Sequence, residues 1–171
     1  MNVLPGSPHP LGATADGGYW VDMGPAREFG AGKAEVSGAV FSGLAVSMGN
    51  PHLACLTDTD IDALDLTGTP SVDAALFPDG VNVELVDVLE TAAHIRLRVV
   101  ERGVGETRSC GTGACAAAYA ALAAEGRSEG TVLVDVPGGR LSVRVTPGTT
   151  VLTGPAVLVS AGALCPEWLA G

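Results

Sequence analysis

Apolar residues recur at every second position in four stretches of the chain. In residues 81–89, Val81, Val83 and Leu85 alternate with Asn82 and Glu84, and in residues 94–100, Ile95, Leu97 and Val99 alternate with Arg96 and Arg98. The same period runs through Val132, Val134 and Val136, and again through Leu141, Val143 and Val145. Alternate side chains of a strand leave from opposite faces, so each stretch predicts a strand with one buried face. Pro137-Gly138-Gly139 separates the last two and predicts a hairpin. Shorter apolar runs at residues 19–23, 44–48 and 52–56 predict earlier strands, broken by Gly24-Pro25 and by Gly49-Asn50-Pro51. Residues 151–153 and 156–160 add one or two final strands. In the acidic residues 58–66, Ile61 and Leu64 stand three apart and predict a short helix starting on Asp58 or Asp60.

Residues 111–125 follow another rule: eight of the fifteen are alanine, with Gly126 at a plausible helix end. A helix that is small and apolar all round has no face suited to water, so it is expected to be buried with strands close around it. These elements predict an α+β fold, a barrel-like, mostly antiparallel sheet wrapped around one buried Ala-rich helix. No internal repeat or second core is evident. Residues 1–18 hold three prolines and four glycines with little periodicity, and read as a loose leader to a domain over residues 19–171.

Composition narrows the functions. A chain of 171 residues suffices for one ordinary domain or two small ones without disulfide staples. Nineteen acidic against nine basic residues give a net charge of −10, which repels phosphates of nucleic acids and anionic lipid. With 47% apolar and 16% charged residues the chain is not a disordered one, and with 4% aromatic residues its core must be Ala, Val and Leu. No apolar run approaches the ~20 residues of a membrane span. Residues 1–16 lack Lys, Arg and an apolar core, so they do not read as a secretory signal, and a cytoplasmic location is expected. Cys55, Cys110, Cys115 and Cys165 show no CxxC spacing, and the histidines are only His9, His52 and His94. Neither a disulfide framework nor a metal site is expected, which leaves free thiols.

The richest chemistry lies in Glu101-Arg102-Gly103-Val104-Gly105-Glu106-Thr107-Arg108-Ser109-Cys110-Gly111-Thr112-Gly113-Ala114-Cys115, between a strand and the start of the helix. Free amides at a helix start bind anions, and Gly111 and Gly113 let a ligand approach the backbone. A thiol there, Cys110, is expected to have a lowered pKa. Its plain alternative is a small buried hydrophobe, the role expected of Cys115. A nucleotide reading is weak, because neither the G-x-G-x-x-G spacing nor a P-loop lysine is present and the strands look antiparallel. Glu101 and Arg102 fit either a structural ion pair or a clamp for the ammonium and a carboxylate of an amino acid. Gly49-Asn50-Pro51-His52 fits a simple turn with a core histidine, and Asn82 alone is unremarkable.

Taken together, Gly49-Asn50-Pro51-His52, Asn82-Val83-Glu84 and Glu101-Arg102-Gly103-x-Gly105-Glu106-Thr107-x-x-Cys110-Gly111-Thr112-Gly113-Ala114 resemble the carboxyl-terminal half of the diaminopimelate epimerase family. The likeness runs from about Tyr19 to about Gly162 and takes in Val21-Asp22-Met23-Gly24-Pro25, Phe77-Pro78 and Pro137-Gly138-Gly139. The resemblance implies one half of the family's fold and a cofactor-independent isomerase that interconverts LL- and meso-diaminopimelate, on the route to lysine and peptidoglycan precursor. Two cysteines on opposite faces of the α-carbon exchange its proton in this family. The resemblance implies Cys110 as one of them, Asn50, Asn82, Glu101, Arg102, Gly111 and Thr112 as substrate contacts, and His52 with Glu101 as the pair that adjusts the thiol pKa. No cofactor is implied; the partner is the small-molecule substrate.

The chain departs from the family at its start. The amino-terminal domain, with the second catalytic cysteine, has no counterpart, and neither Cys55 nor Cys165 sits in a comparable glycine-rich setting. The expected partner is that missing domain or a second copy in a homodimer, and the strand near residues 156–161 is expected to belong with the missing domain. Arg108 and Ser109 stand where members often have an apolar residue and alanine. Three rivals remain: an inactive remnant or amino-acid-binding module, a relative of proline racemase, and a thiol hydrolase using Cys110 and His52. Asn50, Asn82 and Arg102 suit a substrate with a second polar end and disfavour the racemase; the hydrolase lacks an orienting third group.

Overall fold

The alternating segments join into one ladder in the computed structural model, which describes residues 10–157 and 159–163. The strands are β1 (Leu11–Ala13), β2 (Tyr19–Gly24), β3 (Arg27–Val36), β4 (Ala39–Ser47), β5 (Pro51–Leu56), β6 (Ser71–Val72), β7 (Asn82–Val88), β8 (His94–Glu101), β9 (Gly105–Thr107), β10 (Gly130–Val136), β11 (Gly139–Val145) and β12 (Thr150–Gly154). The helix α1 (Gly111–Ala124) lies between β9 and β10. Among the described residues the sheet runs β1-β2-β12-β11-β10-β8-β7-β5-β4-β3-β6, with β9 added on β8.

Most neighbours are antiparallel, as expected, but β5 with β7 and β8 with β10 are parallel. Parallel neighbours need a crossover. Residues 57–81 supply one, and α1 lies in the other, so the strands on either side of the helix form a crossover unit rather than the antiparallel setting expected. The α1 backbone can lie close to the sheet because its side chains are small: Ala114, Cys115, Ala116, Ala117 and Ala118 are fully buried. The helix touches β4, β5, β7, β8, β10, β11 and β12. It ends as anticipated on Gly126, whose φ of +71° allows Gly126 N–H to donate to Ala123 C=O and Arg127 N–H to Leu122 C=O.

The sheet curls about α1, yet it does not close. Its ladder ends at β1 and β6 among the described residues, which makes it an open mixed sheet there. Nor is there a single core. Val46, Val86, Ile95, Leu97, Val134 and Val143 face α1, whereas Leu53, Cys55, Val83, Leu85 and Val100 join Phe41, Ile61, Leu66 and Phe77 in a second cluster. Strands β5 and β7 are therefore buried on both faces, not on one, because the β5–β7 crossover folds back over the face that α1 leaves bare.

Four local expectations change. Residues 58–66 yield only a 3₁₀ turn, Ile61–Ala63, started by Asp60, whose carboxylate accepts from Asp62 N–H at 3.1 Å. The ten-residue β3 was not foreseen, since Gly30 and Gly32 interrupt its apolar pattern; it turns into β4 through Ser37 and Gly38, both at positive φ. Leu11–Ala13, within the stretch read as a leader, pairs with β2. Residues 156, 157, 159 and 160 form no strand, and Val157 and Val159 are 80% and 90% exposed. Residue 158 and residues 1–9 lie outside the described residues.

Candidate functional site

The turn from β4 to β5 begins the site. Gly49, at φ +95°, takes a conformation suited to glycine, and Met48 N–H donates to Asn50 C=O across it. This sets Asn50 at the head of β5, where the two-residue period puts it on the same face as His52. In the parallel ladder His52 stands opposite Asn82 and Ala54 opposite Glu84, so Glu84 lies diagonally beside His52. On the other side, β9 folds back on β8 and leads to Cys110, the N-cap of α1.

Five side chains converge there. His52 Nδ1 lies 2.6 Å from Glu84 Oε1, with both residues fully buried. His52 Nε2 lies 3.1 Å from Asn50 Oδ1, Asn50 Nδ2 donates to Thr112 Oγ1 at 3.4 Å, and Thr112 Oγ1 is 3.5 Å from Cys110 Sγ. Gly113 makes this approach possible, because a Cβ on it would meet Glu84 Oε1 at 2.8 Å and Cys110 Sγ at 3.3 Å. The helix ladder begins with Ala114 N–H donating to Cys110 C=O, which leaves the preceding amides outside the ladder.

The remaining expected residues border this cluster. Asn82 Oδ1 accepts Arg102 N–H at 2.9 Å, fixing the turn after β8. The Arg102 guanidinium extends outward and donates to Asp79 C=O at 3.0 Å. Glu101 Oε1 accepts from Thr107 Oγ1 at 2.5 Å. A cavity of about 330 Å³, lined by Thr67, Pro70, Val81, Glu101, Arg102 and Gly105, opens beside them.

Two features were not anticipated. The hydrogen-bond partner of His52 Nδ1 is Glu84; Glu84 received no role from the sequence, although its place two residues after Asn82 on a strand put a carboxylate on that same face. The Cys110 thiol, expected to be lowered by the helix N-terminus, is instead raised: burial pushes it up and the Glu101 and Glu84 carboxylates add to this, while Thr112 and the Gly113 amide oppose. Cys55 and Cys115 are pushed up to about 12, chiefly by burial. Burial likewise raises the Glu84 carboxyl, with His52 pulling it back. Cys165 lies outside the described residues. No helix among the described residues is long and apolar enough to cross a membrane.

By fold, the chain is similar to a PhzF-family phenazine biosynthesis protein of Bacillus anthracis (TM-score 0.54, 15% identity, covering 89% of this chain and 62% of that one). It is also similar to a protein of Pseudomonas aeruginosa described as a predicted epimerase (TM-score 0.54, 20% identity, 93% and 66%). By sequence it is 55% identical over 150 residues to diaminopimelate epimerase of Mycolicibacterium smegmatis, covering 86% of this chain and 51% of that protein. It is 51% identical over 157 residues to the Mycobacteroides abscessus enzyme of the same name, covering 88% and 53%. The chain thus spans about half the length of the curated relatives it matches. With residues 44–159, which contain the whole cluster around Cys110, matching the family described as diaminopimelate epimerase, the chain belongs to that family.

Proposed function

We propose that the chain supplies one half of a cofactor-independent epimerase site that interconverts LL- and meso-diaminopimelate in lysine and peptidoglycan precursor synthesis, in the cytoplasm. Cys110 works on one face of the α-carbon and a cysteine of the family's amino-terminal domain, or of a second copy, on the other. An amino-acid α-proton is weakly acidic, so its removal needs both a positioned base and stabilisation of the developing charge. As thiolate, Cys110 Sγ takes the proton; the electron pair of the broken C–H bond spreads from the α-carbon into the carboxylate. The opposite thiol then gives a proton to the other face, and in the reverse direction the two sulfurs exchange roles. Amides of Gly111 and Thr112 at the start of α1 bind the substrate carboxylate. Asn50, Asn82, Glu101 and Arg102 hold the polar ends of the substrate; Arg102 has five N–H donors, one of which goes to Asp79. His52, together with Glu101, adjusts the thiol.

The observation that carries this reading is the convergence of Asn50, His52, Glu84 and Thr112 on Cys110 at a helix N-terminus, inside the segment that matches the family. In this reading residues 19–171 form the carboxyl-terminal-type domain, the sheet around α1 is one half of the family's two-domain barrel-like fold, and residues 156–161 reach toward the other half. The exposure of Val157 and Val159 supports that last point.

Proton NMR of LL-diaminopimelate in D₂O tests the proposal. The protein, alone or mixed with a separately expressed amino-terminal half, should replace the α-proton by deuterium as the meso form appears, and Cys110→Ala should abolish both. Equal turnover with Cys110→Ala refutes it. A second reading follows from the half-length span: an amino-acid-binding module. Binding of diaminopimelate without exchange in either preparation would favour it.

A further inference from the structure

Glu84 is the buried group to which the proposed chemistry assigns no task. Its Oε1 meets His52 Nδ1, while Oε2 is buried without a hydrogen-bond partner. From Oε1 the contacts continue without a break through His52, Asn50 and Thr112 to Cys110 Sγ. Counting protons sets the direction of each link. Asn50 Oδ1 only accepts, so His52 Nε2 carries a proton and donates it. The 2.6 Å contact at Nδ1 holds one more, shared between nitrogen and Oε1. The couple therefore contains two protons and has zero net charge, whether written as imidazolium with carboxylate or as imidazole with carboxylic acid.

The next links follow. Asn50 Nδ2 donates to a lone pair of Thr112 Oγ1, which leaves the hydroxyl hydrogen free to point at Cys110 Sγ. With one proton fewer, Nε2 becomes an acceptor, the Asn50 amide turns over to donate to it, and Oδ1 then draws the Thr112 hydrogen away from the sulfur. We infer that Glu84 is a positioning residue: by keeping its couple with His52 at two protons and zero charge, it holds the Thr112 hydroxyl as a donor to the Cys110 sulfur.

The bare Oε2 supports this, since an ionised carboxylate with an unsatisfied oxygen in a dry site is costly and a shared proton relieves it. Burial raises the Glu84 carboxyl in the same sense. The titratable and charged groups around the couple are Cys55 from β5, Glu101 from β8 and Cys110 at the start of α1. Glu101 also disfavours a second negative charge at Glu84. A donor bond to sulfur favours the thiolate.

The inference deepens the epimerase reading of this site, but its readouts are the imidazole and the thiol, not turnover. In ¹⁵N NMR of the histidine-labelled protein at pH 7, His52 Nε2 should resonate as a protonated, pyrrole-type nitrogen. A pyridine-type Nε2 overturns the inference, even in a fully active epimerase. Alkylation of Cys110 by iodoacetamide, followed on its own peptide across pH 6–10, gives the second arm. Glu84→Ala and Thr112→Val should each slow it about tenfold at pH 7, the effect of about one pKa unit. Glu84→Gln, whose amide N–H can donate to Nδ1 and preserve the direction of every link, should restore most of the rate, as should Thr112→Ser. Equal slowing by Glu84→Gln and Glu84→Ala overturns the proposal, and the imidazole signal decides it where Glu84→Ala fails to fold.

Discussion

Gly113→Ala sets two rules against each other at one atom. Gly113 is the third residue of α1 and outside the positive-φ region, so propensity alone favours alanine by at most about 1 kcal/mol. The added Cβ, however, would stand 2.8 Å from Glu84 Oε1 and 3.3 Å from both Cβ and Sγ of Cys110, inside the ~3.5 Å of favourable nonbonded contact. Glu84 cannot swing aside, because its oxygen is fully buried and bonded to His52 at 2.6 Å. Overpacking of this kind costs about 1–3 kcal/mol. Weakening a buried hydrogen bond to a charged group costs about as much again. We therefore expect a net loss of about 3 kcal/mol, or a fall in Tm of roughly 6–12 °C for a chain of this size. The assay is thermal and urea unfolding of the parent, Gly113→Ala, Glu84→Ala and the double variant. Once Glu84 is truncated the 2.8 Å clash disappears and only the milder 3.3 Å contacts with Cys110 remain, so alanine at 113 should become nearly neutral, a coupling of about 1–3 kcal/mol. Gly111→Ala is the control: a Cβ there meets only the flexible ends of Leu152 at 3.2 Å and Met23 at 3.8 Å, so its effect should stay within about 0.5 kcal/mol. Equal effects of Gly113→Ala in both Glu84 backgrounds would refute the idea that Gly113 makes room for the buried carboxylate.

Two further outcomes are expected. Iodoacetamide at pH 8 should label Cys110 while sparing Cys55 and Cys115, whose thiols burial pushes up to about 12; mass spectrometry of the digested protein shows the order, and early labelling of Cys55 or Cys115 would contradict the buried setting. Asp135 is held down at about 2, from 3.8, by Arg140 first and His94 next. Its lowered pKa contributes stability above about pH 4 that is lost as pH falls toward 2, so Asp135→Asn should lower the neutral plateau of the pH–stability curve slightly and shallow its acid limb, the two curves converging near pH 2. The pair is largely exposed, which keeps the change small.

How much of this was legible beforehand differs from element to element. The period of two in residues 81–89, 94–100 and 132–145 located β7, β8 and the β10–β11 hairpin, because successive side chains of an extended segment leave from opposite faces. The alanines of residues 111–125 and Gly126 marked α1 and its end, since helix propensity and the left-handed cap are properties of the residues themselves. Cys110 was singled out locally, by Gly111 and Gly113 after it at the helix start, whereas Asn50, His52, Asn82, Glu101, Arg102, Gly111 and Thr112 received their expected roles from the family resemblance.

Long-range pairing was not identifiable. That β5 runs parallel to β7, and β8 to β10, depends on crossovers whose direction no local pattern records. The second core follows from the β5–β7 crossover covering Val83 and Leu85, the apolar face of β7, while the opposite face, where alternation set Asn82 and Glu84 toward water, is buried as well. The partner of His52 is decided by the diagonal between two strands far apart in sequence, which brings Glu84 to the ring and leaves Glu101 to Thr107. The direction in which Cys110 is shifted has the same origin. A helix N-terminus alone lowers a thiol, but burial beside two carboxylates outweighs it, and only the folded sheet brings those carboxylates there. Residue types and spacing determined the strands, the helix and the reactive loop; tertiary structure decided which charges face one another, because electrostatics in a dry site depends on distances that sequence separation does not contain.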